Sequence, residues 1–136
     1  MIAWDTIDDA EKLKVPAKPA AGLWTMVRTR VIAPAVLRIE ASGSWRPVEG
    51  LPWCGPDGLR HWAYGREQLL TRKAPLGALI GKFGGSNGAV DEADIFVIGS
   101  VTVLQLDKNT GPLYLTINDA AAFFDDNEGA LDVIIR

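Results

Sequence analysis

The sequence predicts an all-β fold, an antiparallel β-sandwich, and three observations lead to this prediction. Short segments alternate apolar and polar residues with a period of two, as half-buried strands do. Turn-forming residues separate these segments, and almost no stretch has helical periodicity. The chain has 136 residues, of which 48% are hydrophobic and 23% are charged. That length and composition suit one globular domain with a substantial core.

The predicted elements follow in chain order. Residues 1–22 are predicted to form an N-terminal arm or edge segment, in which Asp5–Leu13 could be a short helix that ends before Pro16. The sandwich domain then spans residues 23–136. Trp24–Val31 and Val36–Ala41 each alternate, and we expect them to pair as antiparallel strands with one solvent-exposed face. The later strand segments are Leu76–Phe83, Ile95–Gly99, Val101–Leu106, Leu113–Asn118 and a last strand that contains Leu131, Val133 and Ile135.

Aromatic side chains cluster in residues 42–75, a segment without periodicity. It contains Trp45, Trp53, Trp62 and Tyr64 among many glycines and prolines. Long irregular segments inside a compact domain are usually functional. Two interpretations stay open, because aromatic rings suit the half-apolar surface of a sugar and equally suit the ends of a sandwich, where they would fill the core.

Charge and reactive side chains exclude several classes of protein. A net charge of -3 gives no basic surface for nucleic acid. Cys54 is the only cysteine, which excludes an internal disulfide and a cysteine-based metal site. His61 is the only histidine, and nothing in the local sequence pairs it with a nucleophile. The sequence therefore predicts a protein that is not an enzyme.

The first residues give an expectation about location. Met1–Asp9 is acidic and lacks the basic and apolar regions of a Sec signal peptide. No apolar run reaches the length of a membrane span. We therefore expect a cytoplasmic protein by default, and export by a non-classical route stays open.

An acidic loop follows the strand predicted at Leu113–Asn118, and this is the most informative stretch of the chain. The alternation predicts a half-buried strand that delivers Asn118 and Asp119 to its end. Asp126 and Asn127 come seven residues later, before a turn into the next strand. Calcium takes ligands of this kind, carboxylate and amide oxygens gathered in a small volume. An acidic turn in water is the alternative, and the local sequence does not decide between them.

Four stretches closely resemble the PA-IL/LecA-like family of bacterial lectins. They are Pro75–Gly84, Phe96–Ser100, Gly111–Asp119 and Asp126–Gly129. The resemblance is good over residues 75–136 and looser back to Val36. Members of this family are calcium-dependent, galactose-specific lectins with a galactose-binding-like jelly-roll sandwich. The resemblance implies the same fold, bound calcium, a galactoside or related glycan as ligand, and a homo-oligomer that supplies avidity.

The resemblance also implies a set of site residues. By position, the calcium ligands are the side chains of Asp119, Asp126 and Asn127 and the backbone carbonyls of Phe123 and Pro47. The sugar-binding residues are Asp119, Asp126, His61, Tyr64 and Trp53. Asp126 stands where the family has an amide. Its added charge should hold calcium more tightly, but a carboxylate cannot donate a hydrogen bond to a sugar hydroxyl.

A second function class stays open. Ala120–Phe124 makes the acidic loop more apolar than a sugar site requires. This favours a β-sandwich interaction module that has lost sugar and metal binding, since a fold persists without its site. Calcium distinguishes the two, because a ligand that binds only the native state raises the melting temperature.

Overall fold

Two four-stranded antiparallel sheets form the structure, which confirms the predicted all-β sandwich. This computed structural model describes residues 11–60, 68–88 and 94–136. The strands are β1 (Glu11–Pro16), β2 (Thr25–Arg28), β3 (Ala35–Arg46), β4 (Leu79–Phe83), β5 (Ile95–Val97), β6 (Val101–Leu106), β7 (Leu113–Ile117) and β8 (Glu128–Ile135). A 3-10 helix, Ala121–Asp126, connects β7 to β8.

The first sheet has the order β1-β8-β3-β6. Strand β3 is twelve residues long and has different neighbours along its length. Its beginning, Ala35–Glu40, pairs with β6 on one side. Its second part, Ile39–Arg46, pairs with β8 on the other side. The far end of β3 therefore lies beside the start of β8, and β6 covers only the opposite end.

The second sheet has the order β2-β7-β4-β5, so β7 is a central strand. All five of its residues are buried, which makes the prediction of a half-buried strand wrong. Tyr114 and Thr116 point away from the leucines, but other side chains cover them as well. The ammonium of Lys82 lies 5.0 Å from the centre of the Tyr114 ring and 4.9 Å from that of Trp24. Sequence alternation alone cannot detect this second cover.

The predicted pairing of the second and third strands is also wrong. β2 pairs with β7, whereas β3 pairs with β6 and β8, so the two strands belong to different sheets. The physical reason is that alternation reports which face of a strand is buried and does not report its neighbour. The predicted faces of β3 are correct, since Leu37 and Ile39 are buried and Arg38 is exposed.

Large side chains from both sheets fill the core. Trp24, Trp45, Leu79, Leu115 and Leu131 are fully buried. The indole nitrogen of Trp45 donates a hydrogen bond to the Gly77 carbonyl at 2.7 Å. For Trp45 the core-filling interpretation is therefore the right one, and burial of a side chain of this size contributes on the order of 2–3 kcal/mol.

Part of the N-terminal segment is an edge strand. Glu11–Pro16 forms β1 and pairs with β8 over its whole length. Glu11–Leu13 is thus extended, where a short helix was one expectation. Residues 1–10 lie outside the described residues. Within the described ranges there is no helix with the length and apolar character of a membrane span.

Candidate functional site

The candidate site lies at the end of the sandwich where β7 ends and β8 begins. Residues 119–127, here named the acidic loop, connect these two strands across the two sheets. Residues 47–52, here named the adjacent loop, leave the end of β3. Arg46 is in register with Glu128, and their side chains form an ion pair. The fold therefore brings the two loops to one end of the molecule.

Asn118 holds the base of the acidic loop. Its side chain is fully buried. The amide oxygen accepts a hydrogen bond from Thr71 N at 3.1 Å, and the amide nitrogen donates to the carbonyls of Thr71, Ala74 and Pro75 at 3.0, 2.9 and 3.2 Å. Both polar atoms of the side chain are thus used within the protein. Asn118 is a scaffold residue that ties residues 71–75 to the end of β7.

Asp119 comes next in the chain and has a different environment. Its side chain is only 3% exposed. One carboxylate oxygen, Oδ1, accepts a hydrogen bond from Ala120 N at 2.7 Å. The other, Oδ2, is buried and has no hydrogen-bond partner among the residues that the structure describes. A buried carboxylate oxygen without a partner costs free energy, on the order of 1–3 kcal/mol, so it is an unusual feature that calls for a ligand or a proton.

The electrostatics of Asp119 agree with this geometry. Burial raises the pKa of Asp119 to about 7. The negative charge of Asp126 raises the pKa further, while the Ala120 backbone N–H and the nearby Asn127 amide lower it. A cation at Oδ2 would offset both the burial and the repulsion from Asp126.

Asn127 provides a second buried oxygen. Its side chain is 5% exposed, and its amide nitrogen donates to the Ala17 carbonyl at 2.9 Å. This hydrogen bond fixes the amide so that Oδ1 faces away from Ala17, and Oδ1 is buried with no partner in residues 11–60, 68–88 and 94–136. Two predicted ligand residues therefore each have one unsatisfied buried oxygen, and they lie near each other in the acidic loop.

Asp126 links the acidic loop to the adjacent loop. Its Oδ2 accepts a hydrogen bond from Glu49 N at 3.1 Å. Pro47, whose carbonyl is a predicted ligand, lies two residues before Glu49 and is buried. The contact confirms that the two loops meet. It also occupies one of the two Asp126 oxygens, so Oδ1 is the oxygen that has no such contact with the adjacent loop.

Phe123 interrupts the 3-10 helix of the acidic loop. Its backbone has φ -122° and ψ 28°, outside the helical region. Its side chain is 57% exposed and lies in solvent. The predicted role of Phe123 needs only the carbonyl, and the conformation does not conflict with it.

Trp53 packs beside the same end of the molecule. Its ring is 48% exposed, so it does not fill the core. The Arg46 guanidinium lies 5.4 Å from the ring centre. The ring edge lies so close to Gly129 that a Cβ there would be 2.6 Å from Trp53 Cζ3. Trp53 also lines a surface groove of about 510 Å³ with Pro52, Leu59 and Arg60.

Two predicted sugar-binding residues, His61 and Tyr64, lie outside the described residues. Among the residues that are described, no group of three or more His, Cys, Asp or Glu side chains is arranged to hold a metal ion. The candidate set differs in kind from such a group. It combines two carboxylates with one amide and backbone carbonyls, a mixture that calcium accepts and that transition metals do not favour.

Neither of two other reactive side chains supports catalysis. The Cys54 thiol is buried, and burial raises its pKa to about 11, so it is a thiol and not a nucleophilic thiolate near neutral pH. Lys82 is buried between aromatic rings, and desolvation lowers its pKa. Its ammonium donates to the Ser86 carbonyl at 2.5 Å. The surroundings of Cys54 and Lys82 are therefore those of buried side chains that contribute to packing.

Sequence reasoning missed the residues that position the candidate ligands. Ala17 orients the Asn127 amide, and Glu49 contacts Asp126, in both cases through the backbone. Because every residue type has a backbone carbonyl, the sequence contains no feature that indicates the role of Ala17. The sequence predicts Asn118 at the strand end, and its position directly after an alternating strand is the available signal for a buried scaffold amide.

Comparison with solved structures finds proteins of similar fold. The chain is similar to a solved structure described as the EclA N-terminal domain, a PllA-like lectin. The TM-score is 0.63 at 23% sequence identity, and the alignment covers 91% of this chain and 92% of the other. At this identity the likeness shows that the two chains share a fold. No family model and no curated protein matches the sequence.

Proposed function

We propose that the protein is a non-catalytic, lectin-type carbohydrate-binding protein whose site is organised by calcium. The observation that carries the proposal is the pair of buried oxygens without partners, Asp119 Oδ2 and Asn127 Oδ1. Both belong to residues that the family resemblance implies as calcium ligands. The shared fold with a PllA-like lectin supports the same function class over nearly the whole chain.

The donor set fits a hard cation. Asp119, Asp126 and Asn127 would supply side-chain oxygens, and Phe123 and Pro47 would supply carbonyls. Calcium takes roughly 6–8 oxygen ligands, so five protein positions leave room for more. When bound, calcium supplies direct coordination to two hydroxyls of a sugar.

Side chains around the two loops would make the direct contacts between protein and sugar. Trp53 offers a half-exposed ring that suits the C–H face of a galactoside. Asp126 accepts hydrogen bonds from sugar hydroxyls through the oxygen not bonded to Glu49. Because Asp126 cannot donate, hydroxyls that act as acceptors must find donors elsewhere.

The experiment is a thermal unfolding series with calcium, with chelator, and with calcium plus galactose. The proposal expects calcium to raise the melting temperature and galactose to raise it further only when calcium is present. A glycan array with and without chelator then identifies the sugar. Asp119→Ala should lose both effects. Galactose binding that survives Asp119→Ala would contradict the proposed site.

A second candidate function has one specific observation in its favour. The Phe123 ring is 57% exposed on the acidic loop, and Ala121 and Ala122 beside it are exposed too. An exposed aromatic ring on a loop suits contact with another protein. This alternative predicts no calcium effect on the melting temperature, and it predicts that Phe123→Ala weakens partner binding while glycan retention is absent throughout.

A further inference from the structure

The outer edge of β6 lacks the features that protect the other sheet edges among the described residues. β1 carries exposed Lys12 and Lys14 and ends in a proline. β2 has four residues and a register irregularity, and β5 has three residues. Charges, prolines, bulges and shortness are the means by which edge strands avoid pairing with another chain. β6 has six residues, VTVLQL, without charge or proline, and its register with β3 is regular.

Hydrogen bonds on β3 show which of its backbone groups point towards β6. Arg38 exchanges backbone hydrogen bonds with Arg136, at 3.3 and 3.0 Å, so the even-numbered positions of β3 face β8. Ala41 N donates to the Ser100 carbonyl at 2.9 Å, so the odd-numbered positions face β6. This alternation is a property of every antiparallel ladder.

The same alternation fixes the free groups of β6. Leu37 and Ile39 of β3 are in register with Leu104 and Thr102. The even-numbered positions of β6 therefore bond to β3. The N–H and C=O groups of its odd-numbered positions point to the open edge, where the described residues provide no strand partner. These positions are Val101, Val103 and Gln105.

The side chains at this edge are exposed and apolar. Val101 is 49% exposed and Val103 is 55% exposed. On the neighbouring strand, Val36 is 63% exposed and is in register with Gln105 on the same face. Val101 and Val103 thus adjoin a row of outward-pointing backbone groups, with Glu40 and Arg38 opposite them on β3. Such a combination is a template for another strand.

We infer that β6 pairs with β6 of a second copy of this chain, antiparallel, about a two-fold axis at Val103. In this register Val103 faces Val103 of the copy and Val101 faces Gln105 of the copy. Each of these residue pairs exchanges two backbone hydrogen bonds. The strand is self-complementary, because no ionised side chain meets a like charge and the valines of both copies form one apolar stripe.

This arrangement has a consequence that rests on the proposed function. β6 pairs with the beginning of β3, whereas the acidic loop lies at the Arg46 end of β3. The dimer contact therefore leaves both sites open. Because the two copies of β3 run antiparallel across the dimer, their sites point to opposite ends of the joined sheet. Such a dimer cross-links two separate glycans and does not bind one glycan twice.

Sedimentation equilibrium of the full chain in chelator tests the contact without any sugar or metal. The wild type should show a concentration-dependent mass that approaches twice 14.7 kDa. Val103→Lys should be monomeric at the same concentrations. Its melting temperature should match that of the wild type at low concentrations where the wild type is also monomeric, since this residue is exposed. The matched control is Val97→Lys on β5 of the other sheet, 40% exposed, which should dimerise like the wild type.

Hydrogen exchange on the wild type gives a second readout that needs no variant. Exchange at the amides of Val101, Val103 and Gln105 should slow as protein concentration rises, while Thr102 and Leu104 stay protected throughout. A wild type that stays monomeric to roughly 1 mM, or a Val103→Lys chain that still dimerises, would overturn the inference. So would concentration-independent protection of the three outward amides, which would mean that a segment of the same chain covers the edge.

Discussion

Asn118 and Asp119 are neighbours at the end of β7, and both are buried, but only Asn118 has its polar atoms satisfied. The Asn118 amide uses both atoms in four hydrogen bonds, whereas Asp119 Oδ2 has none. The first residue therefore stabilises the loop base, and the second keeps one buried oxygen that no group in the described part of the chain satisfies. Of these two consecutive residues, Asn118 is therefore a scaffold residue and Asp119 is a candidate ligand.

Replacement of Asn118 tests the scaffold role. Asn118→Ala should destabilise the protein by roughly 2–4 kcal/mol, because it leaves several buried carbonyls and one N–H without partners. Denaturant unfolding measures this loss. The control is Asn87→Ala, an exposed asparagine whose side chain makes one hydrogen bond to Ala21 O at 3.2 Å. Calcium should still raise the melting temperature of Asn118→Ala, and loss of that rise would make Asn118 a site residue.

The pH dependence of stability follows from Asp119. Its pKa is about 7 in the calcium-free protein and near 3.8 for an ordinary carboxyl. The folded state therefore favours the protonated form, and stability falls as pH rises from about 4 to about 7. Since one pKa unit corresponds to about 1.4 kcal/mol, the decrease amounts to a few kcal/mol. Calcium affinity should change in the opposite sense and fall as pH drops below about 7.

Asp119→Asn provides the matched variant for this pH effect. Without calcium it should be more stable than the wild type at pH 8, by roughly 1–3 kcal/mol, because the buried charge is gone. It should also lose the downward slope between pH 4 and pH 7 and the stabilisation by calcium. Urea unfolding at several pH values measures all three. A calcium-free variant that is less stable than the wild type at pH 8 would contradict the raised pKa.

Asp126→Asn tests the position at which this chain carries a carboxylate and the lectins that its sequence resembles carry an amide. It should weaken calcium binding, by roughly 10-fold, because one ligand charge is lost. The amide has only one oxygen, which Glu49 N and calcium would have to share, and it adds a donor for a sugar hydroxyl. Isothermal titration should therefore show weaker calcium binding but equal or tighter galactose binding at saturating calcium. Tighter calcium binding by the variant would refute the role given to the Asp126 charge.

The contact between Trp53 and Gly129 can be tested with a pair of glycines. Gly129 has φ +88°, and an added Cβ would lie 2.6 Å from Trp53 Cζ3 and 3.0 Å from the Ser44 carbonyl. Gly84 has a similar φ of +79° with open space around it. Both alanine variants carry the backbone cost of about 1–2 kcal/mol. In denaturant unfolding, Gly129→Ala should lose at least about 1 kcal/mol more unfolding free energy than Gly84→Ala, and it should displace the Trp53 ring. Equal losses would mean that the ring moves aside without cost.

The sequence predicts which side of β3 is buried, but it does not predict which strands pair with each other. The bounds of β6 and the buried positions of β3 followed from alternation, because the period of two is a local property of the strand. The pairing of β2 with β7, and the second cover over Tyr114, depend on residues far away in the chain. No local pattern contains that information.

The candidate site shows the same division. The local pattern of the strand end and the acidic loop already indicates Asp119 and Asn127 as candidate calcium ligands, and the resemblance implies the same residues. The contact of Asp126 with Glu49 joins the acidic loop to the adjacent loop. The distinction between a satisfied Asn118 and an unsatisfied Asp119 needed coordinates, since both residue types are common at strand ends. The dependence of Asn127 on the Ala17 carbonyl likewise needed the position of β1 and the residues after it.

The most direct measurement is a diffraction experiment on crystals grown in calcium, with anomalous difference density used to locate the ion. The proposed site predicts one peak within about 2.3–2.6 Å of both Asp119 Oδ2 and Asn127 Oδ1. A peak elsewhere would contradict the claim that these two oxygens are calcium ligands. The absence of any peak at saturating calcium, with water or a protein donor bonded to the two oxygens, would contradict it as well.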